Sequence, residues 1–176
     1  MNKIYYIDLD REKRNTAGAK APDDIAELCR RGGYHRISMP LYPRDKSKLI
    51  QKIWLLTVCT CNWWRIMHCV GEDSIIIYQH PQYGVRIAEK MIPMVQRKRN
   101  CKFVTVVHDL ESLRGGIEGV IKNNSRTNKL ADSILLRHMD CLICHNEKMK
   151  DYLVKMGYAQ EKIVCLELFD YLNNVQ

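Results

Sequence analysis

The feature that most restricts this chain is a pair of short, nearly unbroken apolar runs, SIIIYQ at 74–79 and FVTVV at 103–107. A strand with one wet face alternates apolar and polar residues. Runs like these fit strands covered on both faces, as in a parallel sheet. Residues 3–9, 35–41 and 141–144 supply three more apolar runs, and KIVCLEL at 162–168 is a candidate sixth.

Helical patterns fall between the runs. The first opens near Pro22, Asp23 and Asp24, whose types suit an opening turn, and stops at Gly32 and Gly33. Its expected inner face is Ile25, Leu28 and Cys29. The second spans about 46–69, with Leu49, Ile53, Trp54, Val58, Cys61 and Trp64 expected as its buried stripe. The third, about 83–96, buries Val85, Ile87, Ala88, Met91 and Val95, with Pro93 expected to bend or interrupt it. A fourth covers 125–139 with Leu130, Ile134 and Leu135 inward. The fifth, 146–156, has Asn146 as its cap, Glu147 in its first turn and Gly157 just past its end. The order βαβαβαβαβα predicts a Rossmann-like, doubly wound α/β fold: a mostly parallel sheet with helices on both faces. Residues 1–168 form the expected domain, and 169–176 read as a tail or the start of an interdomain linker.

Such sheets bind ligands beyond the carboxyl ends of their strands, near the point where strand order reverses. That reversal is expected between the first and fourth strands. Asp8 and Asp10 end the first strand, ahead of a basic, polar loop containing Arg11, Lys13, Arg14, Asn15, Thr16, Gly18 and Lys20. Such a loop can close over an anionic sugar or phosphate, and equally can be a solvated connection. Pro40 and Tyr42 follow the second strand, and Gln79, His80, Pro81 and Gln82 the third. After the fourth comes HDLESLR, residues 108–114. An imidazole near neutrality can take a hydroxyl proton, and a carboxylate can orient it or bind the hydroxyl. His108 and Asp109 are therefore the catalytic candidates. Arg114 can fork onto a carboxylate or phosphate, or pair with Glu111. His80, joined to Pro81, is either a ligand contact or part of a rigid turn.

Other motifs carry less. There is no GxGxxG, and GGIEG at 115–119 lacks the lysine and hydroxyl of a phosphate loop. CLICH at 141–145 spells a haem-attachment pattern, but it reads as a buried strand. Cys59 and Cys61 are too closely spaced to clamp zinc with Cys141 and Cys144. Neither a cofactor nor a metal is expected. Most of the eight cysteines read as small buried hydrophobes. With acids inside the first ten residues and no apolar run of membrane-spanning length, the chain reads as cytoplasmic.

The formal charge of +8 favours anionic partners: nucleic acid, an acidic membrane or phosphorylated substrates. Arg97, Lys98 and Arg99 read first as solvating cations at a helix C-terminus and second, with Arg30, Arg31 and Arg36, as a basic patch for peripheral contact at the inner face of the membrane. No continuous basic recognition helix and no aromatic-and-basic strand motif is present, so no nucleic-acid partner is expected.

YQHP at 78–81, FVTVVHDLESLR at 103–114 and DCLICHNEKMKDYLVKMG at 140–157 together resemble a bacterial glycosyltransferase family. Residues 16–25, with Gly33 and Tyr34, are similar to its first loop and helix. The likeness is to the N-terminal domain of glucosyltransferase-3-like enzymes and galactofuranosyltransferases of polysaccharide synthesis. It implies one half of a GT-B architecture, in which two Rossmann-like domains face each other across a cleft. This half receives a glycan or lipid-linked saccharide acceptor, and the absent C-terminal half grips a UDP-sugar donor. The resemblance makes Thr16, Gly18, His80, His108, Asp109 and Arg114 cleft-facing candidates, with Asp10 and Arg11 beside them. Alone, the chain is expected to bind acceptor weakly and transfer nothing, unless a donor-binding domain or a homo-oligomer completes it. Against this stand a non-catalytic carbohydrate-binding or assembly module and, more remotely, a basic nucleic-acid-binding protein.

Overall fold

The computed structural model describes residues 3–10, 17–110, 132, 133 and 137–166. Six strands, β1 Ile4–Asp10, β2 His35–Pro40, β3 Ile75–His80, β4 Lys102–Val107, β5 Cys141–Cys144 and β6 Ile163–Cys165, form one sheet in the order β2-β1-β3-β4-β5-β6. Every pairing is parallel. The apolar runs are explained: β3 and β4 lie inside the sheet, with their neighbours paired on both edges.

Two cores of unequal size cover the faces. On one side, Tyr6 and Val106 pack with Ile25 and Cys29 of α1, Ala17–Arg31. On the other, Ile7, Ile76, Phe103 and Leu142 meet helices α3 (Thr60–Cys69), α4 (Val85–Arg99) and α5 (Glu147–Lys155) through Trp63, Ile92 and Leu153. The chain runs from β1 to β2 on one flank and then crosses back to β3 on the other flank of β1. Strand order therefore reverses between β1 and β3, not between the first and fourth strands.

Several helix expectations need correction. α1 begins at Ala17 and carries Pro22 inside it, and Leu28 stands 44% exposed. α4 runs through Pro93 to Arg99. The missing N–H of Pro93 costs about 3 kcal/mol in an isolated helix. Burial of Ala88, Met91, Ile92 and Val95 around it is enough to offset that. α5 follows expectation closely: the Asn146 carboxamide oxygen accepts from the Met149 N–H at 2.9 Å, and Gly157 takes φ +95°. The fourth helical pattern, with Leu130, Ile134 and Leu135, lies largely outside the described residues.

The largest difference is in the second helical pattern. Ser47 caps α2, Lys48–Trp54, which passes into a π-helical stretch, Leu55–Cys59, before α3. Leu49, Ile53 and Trp64, expected inward, are 68%, 52% and 49% exposed, and Cys61 is exposed too. The side chains that point in are Cys59, Trp63, Ile66 and Met67. A π turn holds more residues than an α turn and so rotates the face that follows it. Thr57 and Asn62 donate to the carbonyls of Ile53 and Val58 at 2.7 and 2.8 Å, so the stretch satisfies part of its backbone through side chains.

Candidate functional site

The carboxyl ends of β1 to β5 line one rim of the sheet. On β1, Asp8 and Asp10 point to the α1 side, where Arg36 of β2 bridges them at 2.7 and 3.0 Å. The Ser38 hydroxyl donates a short hydrogen bond to the second oxygen of Asp10. Asp10 is thus a fixed, half-exposed carboxylate at the rim. Gly18 lies in the first turn of α1. Arg11, Thr16 and Arg114 lie outside the described residues.

β3 ends in two polar residues that face opposite ways. Gln79 points toward α1 and donates its Nε2–H to the Pro22 carbonyl at 3.3 Å. His80 points into the larger core. Only 2% of it is exposed, and its Nε2 sits 3.1 Å from the carboxylate of fully buried Asp132. His80, expected to face the cleft, instead points inward and makes a buried hydrogen-bond contact with Asp132. Strand alternation explains it: Ile76, Tyr78 and His80 share one face.

His108 extends the β3–β4 pairing, donating its backbone N–H to the His80 carbonyl at 2.9 Å. Its imidazole Nε2 meets Gln79 Oε1 at 2.8 Å. The orientation of this pair follows from the acceptor at its far end. A carbonyl only accepts, so the Gln79 amide nitrogen faces Pro22 and its oxygen faces His108. His108 Nε2 must then carry the proton. In the neutral ring the basic lone pair lies on Nδ1, an atom buried from solvent.

Beside it stands a residue that the sequence offered only within the CLICH pattern. His145, immediately after β5, has its ring 5.6 Å from that of His108, tilted by 34°. Burial pushes its pKa below the ordinary histidine value, so this neighbour is neutral at physiological pH. Asp109 is half-buried, and its Oδ1 accepts from the Leu110 N–H at 2.8 Å. Leu110 is fully buried and anchors the chain as it leaves β4.

Aromatic contacts brace the other side of the rim. Tyr42 stacks on Tyr83 at 4.8 Å, meets Trp54 edge-on at 5.6 Å, and donates its hydroxyl to Gln51 at 3.0 Å. Arg44 lies over Tyr83 at 4.7 Å. The loop after β2 and the loop after β3 are thereby tied together.

The cysteines behave differently from a ligand set. Cys144 of the CLICH stretch is fully buried, and burial pushes its thiol up to about 11. Among the described residues, no cluster of three or more metal-binding side chains occurs. No described helix is long and apolar enough to cross a membrane.

The parallel, doubly wound sheet has the Rossmann-like fold of one half of a GT-B architecture. The chain belongs to the family described as glucosyltransferase 3-like, N-terminal domain, whose model matches residues 3–168. Glucosyltransferase 3 of Streptococcus gordonii is 22% identical over 154 residues, covering 86% of this chain and 41% of that protein. The crystal structure of Anabaena Alr3699/HepE with UDP and glucose superposes with a TM-score of 0.56 at 15% identity, over 97% of this chain and 45% of that one. The same protein with UDP-glucose gives 0.52 at 14%, over 93% and 43%. The chain thus spans less than half the length of these relatives.

Proposed function

We propose that this chain is the acceptor-side half of a nucleotide-sugar-dependent glycosyltransferase. The carrying observation is the family match over residues 3–168. The donor is a UDP-sugar, with glucose favoured by the similar Anabaena protein Alr3699/HepE solved with UDP-glucose and galactofuranose by the sequence resemblance. The acceptor is a glycan or lipid-linked saccharide hydroxyl, presented at the rim from the cytoplasmic side.

In this reading His108 is the base. Gln79 supports the Nε2–H tautomer, which puts the basic lone pair on Nδ1; that atom is buried from solvent, so proton transfer requires the ring to open to the acceptor on binding. Asp109 orients the acceptor, and Asp10 with Gly18 forms the opposite wall. Arg11, Thr16 and Arg114 join the site on the family resemblance. His80 acts from behind, holding the end of β3. Transfer moves the hydroxyl oxygen onto the anomeric carbon, the proton to His108 and the UDP away with its bonding electrons. Positioning and charge stabilisation supply most of the acceleration, and both need the second wall of the cleft. A donor-binding domain, in one polypeptide or supplied by a partner, completes it.

The test is calorimetric titration of UDP into this chain, followed by a transfer assay with a donor-binding domain present. The expected result is negligible nucleotide affinity alone and transfer from the UDP-sugar only in the completed enzyme. Tight UDP binding by the isolated chain would overturn the assignment to the acceptor side.

A further inference from the structure

α2 offers a ridge that the fold does not use. No residue of Lys48–Trp54 is buried. Leu49 and Ile53 share an i, i+4 face of α2 and are 68% and 52% exposed, and Leu56, at the start of the π stretch that continues it, is 63% exposed. Ile50 beside them is also exposed. Three adjacent large aliphatic side chains left in water on one ridge are unusual unless something covers them.

Charge identifies the occupant. Between residues 44 and 65 the chain carries five cations, Arg44, Lys46, Lys48, Lys52 and Arg65, against one carboxylate, Asp45. Arg44, Lys46, Lys48 and Lys52 are all exposed beside the ridge. A second copy docking ridge to ridge would bring these cations together, and one helical ridge is small against the roughly 800 Å² per partner of a stable interface. An anionic lipid surface satisfies both halves of the pattern. Aliphatic side chains enter the acyl boundary and lysines meet the headgroups.

We infer that the ridge of Leu49 and Ile53 of α2 and Leu56 of the π stretch, with Lys48 and Lys52, seats the protein on an anionic lipid bilayer. This is a different surface from the arginines that close α4: Arg99 is engaged at 2.7 and 2.8 Å with the Met67 and His68 carbonyls that end α3. The ridge also lies next to the rim, since Gln51 and Trp54 of α2 hold Tyr42. Docking there brings the rim to the membrane. The inference concerns binding alone and stands or falls independently of any transfer activity.

The experiment is co-sedimentation of the chain with phosphatidylcholine vesicles, with and without phosphatidylglycerol, alongside sedimentation velocity without lipid. The expected result is binding to the anionic vesicles only, weakened by salt. Lys48→Ser with Lys52→Ser should weaken it by about 5-fold per lysine. Leu49→Ser with Leu56→Ser should abolish it. All four side chains are exposed, so thermal melts should match the parent. If the aliphatic pair is poorly folded, the lysine pair still decides. Equal binding to neutral vesicles, no binding at all, or binding unchanged by the lysine pair overturns the inference. So does a dimer in solution that Leu49→Ser and Leu56→Ser dissociate, because it would make a second copy the occupant.

Discussion

Gln79 and His108 meet across adjacent strands at 2.8 Å, and the same carboxamide reaches Pro22 of α1. One side chain, only 7% exposed, therefore joins β3, β4 and α1 at the rim. Gln79→Leu leaves the Pro22 carbonyl and the His108 N–H without it. Leaving a buried polar group unsatisfied costs about 1–3 kcal/mol. An unfolding free energy, measured by urea denaturation, lowered by that amount is the expected outcome; an unchanged free energy would show that the bridge is not formed in solution.

The buried His80–Asp132 contact makes a similar demand on stability. Its partners are 2% and 0% exposed. Removing one partner of a buried hydrogen bond leaves the other unsatisfied, at a cost of about 1–3 kcal/mol. Asp132→Ala should therefore destabilise more than a surface change, as read by chemical denaturation. A loss below about 1 kcal/mol would mean that water replaces the carboxylate.

Two neighbouring tryptophans should behave oppositely. Trp63 is 1% exposed and packs near Phe103, with ring centroids 6.4 Å apart; Trp64 is 49% exposed and stacks on His68 at 5.1 Å. Trp63→Ala should cost about 3–5 kcal/mol through the cavity it leaves. Trp64→Ala should stay near 0.5 kcal/mol. Reversal of that order in thermal melts would contradict the helix phase described for α3.

Stability should fall at both ends of the pH range, for different groups. Burial pushes the Cys29, Cys59 and Cys101 thiols up to about 11 from 9.0. Their folded pKa lies above the unfolded one, so the native state keeps protons that the unfolded state loses. Stability holds below about pH 9 and declines as pH rises toward 11. Glu27 runs the other way: hydrogen bonds from Arg30 and Arg31 hold it at about 2, below the ordinary 4.5. Its contribution is complete above 4.5 and disappears as pH falls toward 2. Glu27→Gln should remove only the acid-side difference, measured as denaturation midpoint against pH.

The order of elements was legible because buried parallel strands write themselves as unbroken apolar runs, as in Ile75–His80 and Lys102–Val107. The phase of the second helical pattern was not. Leu49, Ile50, Ile53, Trp54, Leu55, Leu56 and Val58 are apolar nearly all round, so periodicity cannot choose a face, and the π stretch shifts the one that follows. His80 was readable in principle, since a period of two places it with Ile76 and Tyr78. Gln79 was placed at the rim by its position after the third strand and His145 only within CLICH, and nothing local marked either as a neighbour of His108. Their roles depend on which strands become neighbours, and that depends on where the sheet reverses.

The account turns on His108 acting at an acceptor hydroxyl. The most direct measurement is the steady-state kinetics of His108→Ala in the enzyme completed by its donor-binding domain. Loss of a general base predicts kcat lower by roughly 10²–10⁴-fold, with KM for the UDP-sugar unchanged. A kcat within a few-fold of the parent, or a defect confined to donor KM, would contradict it.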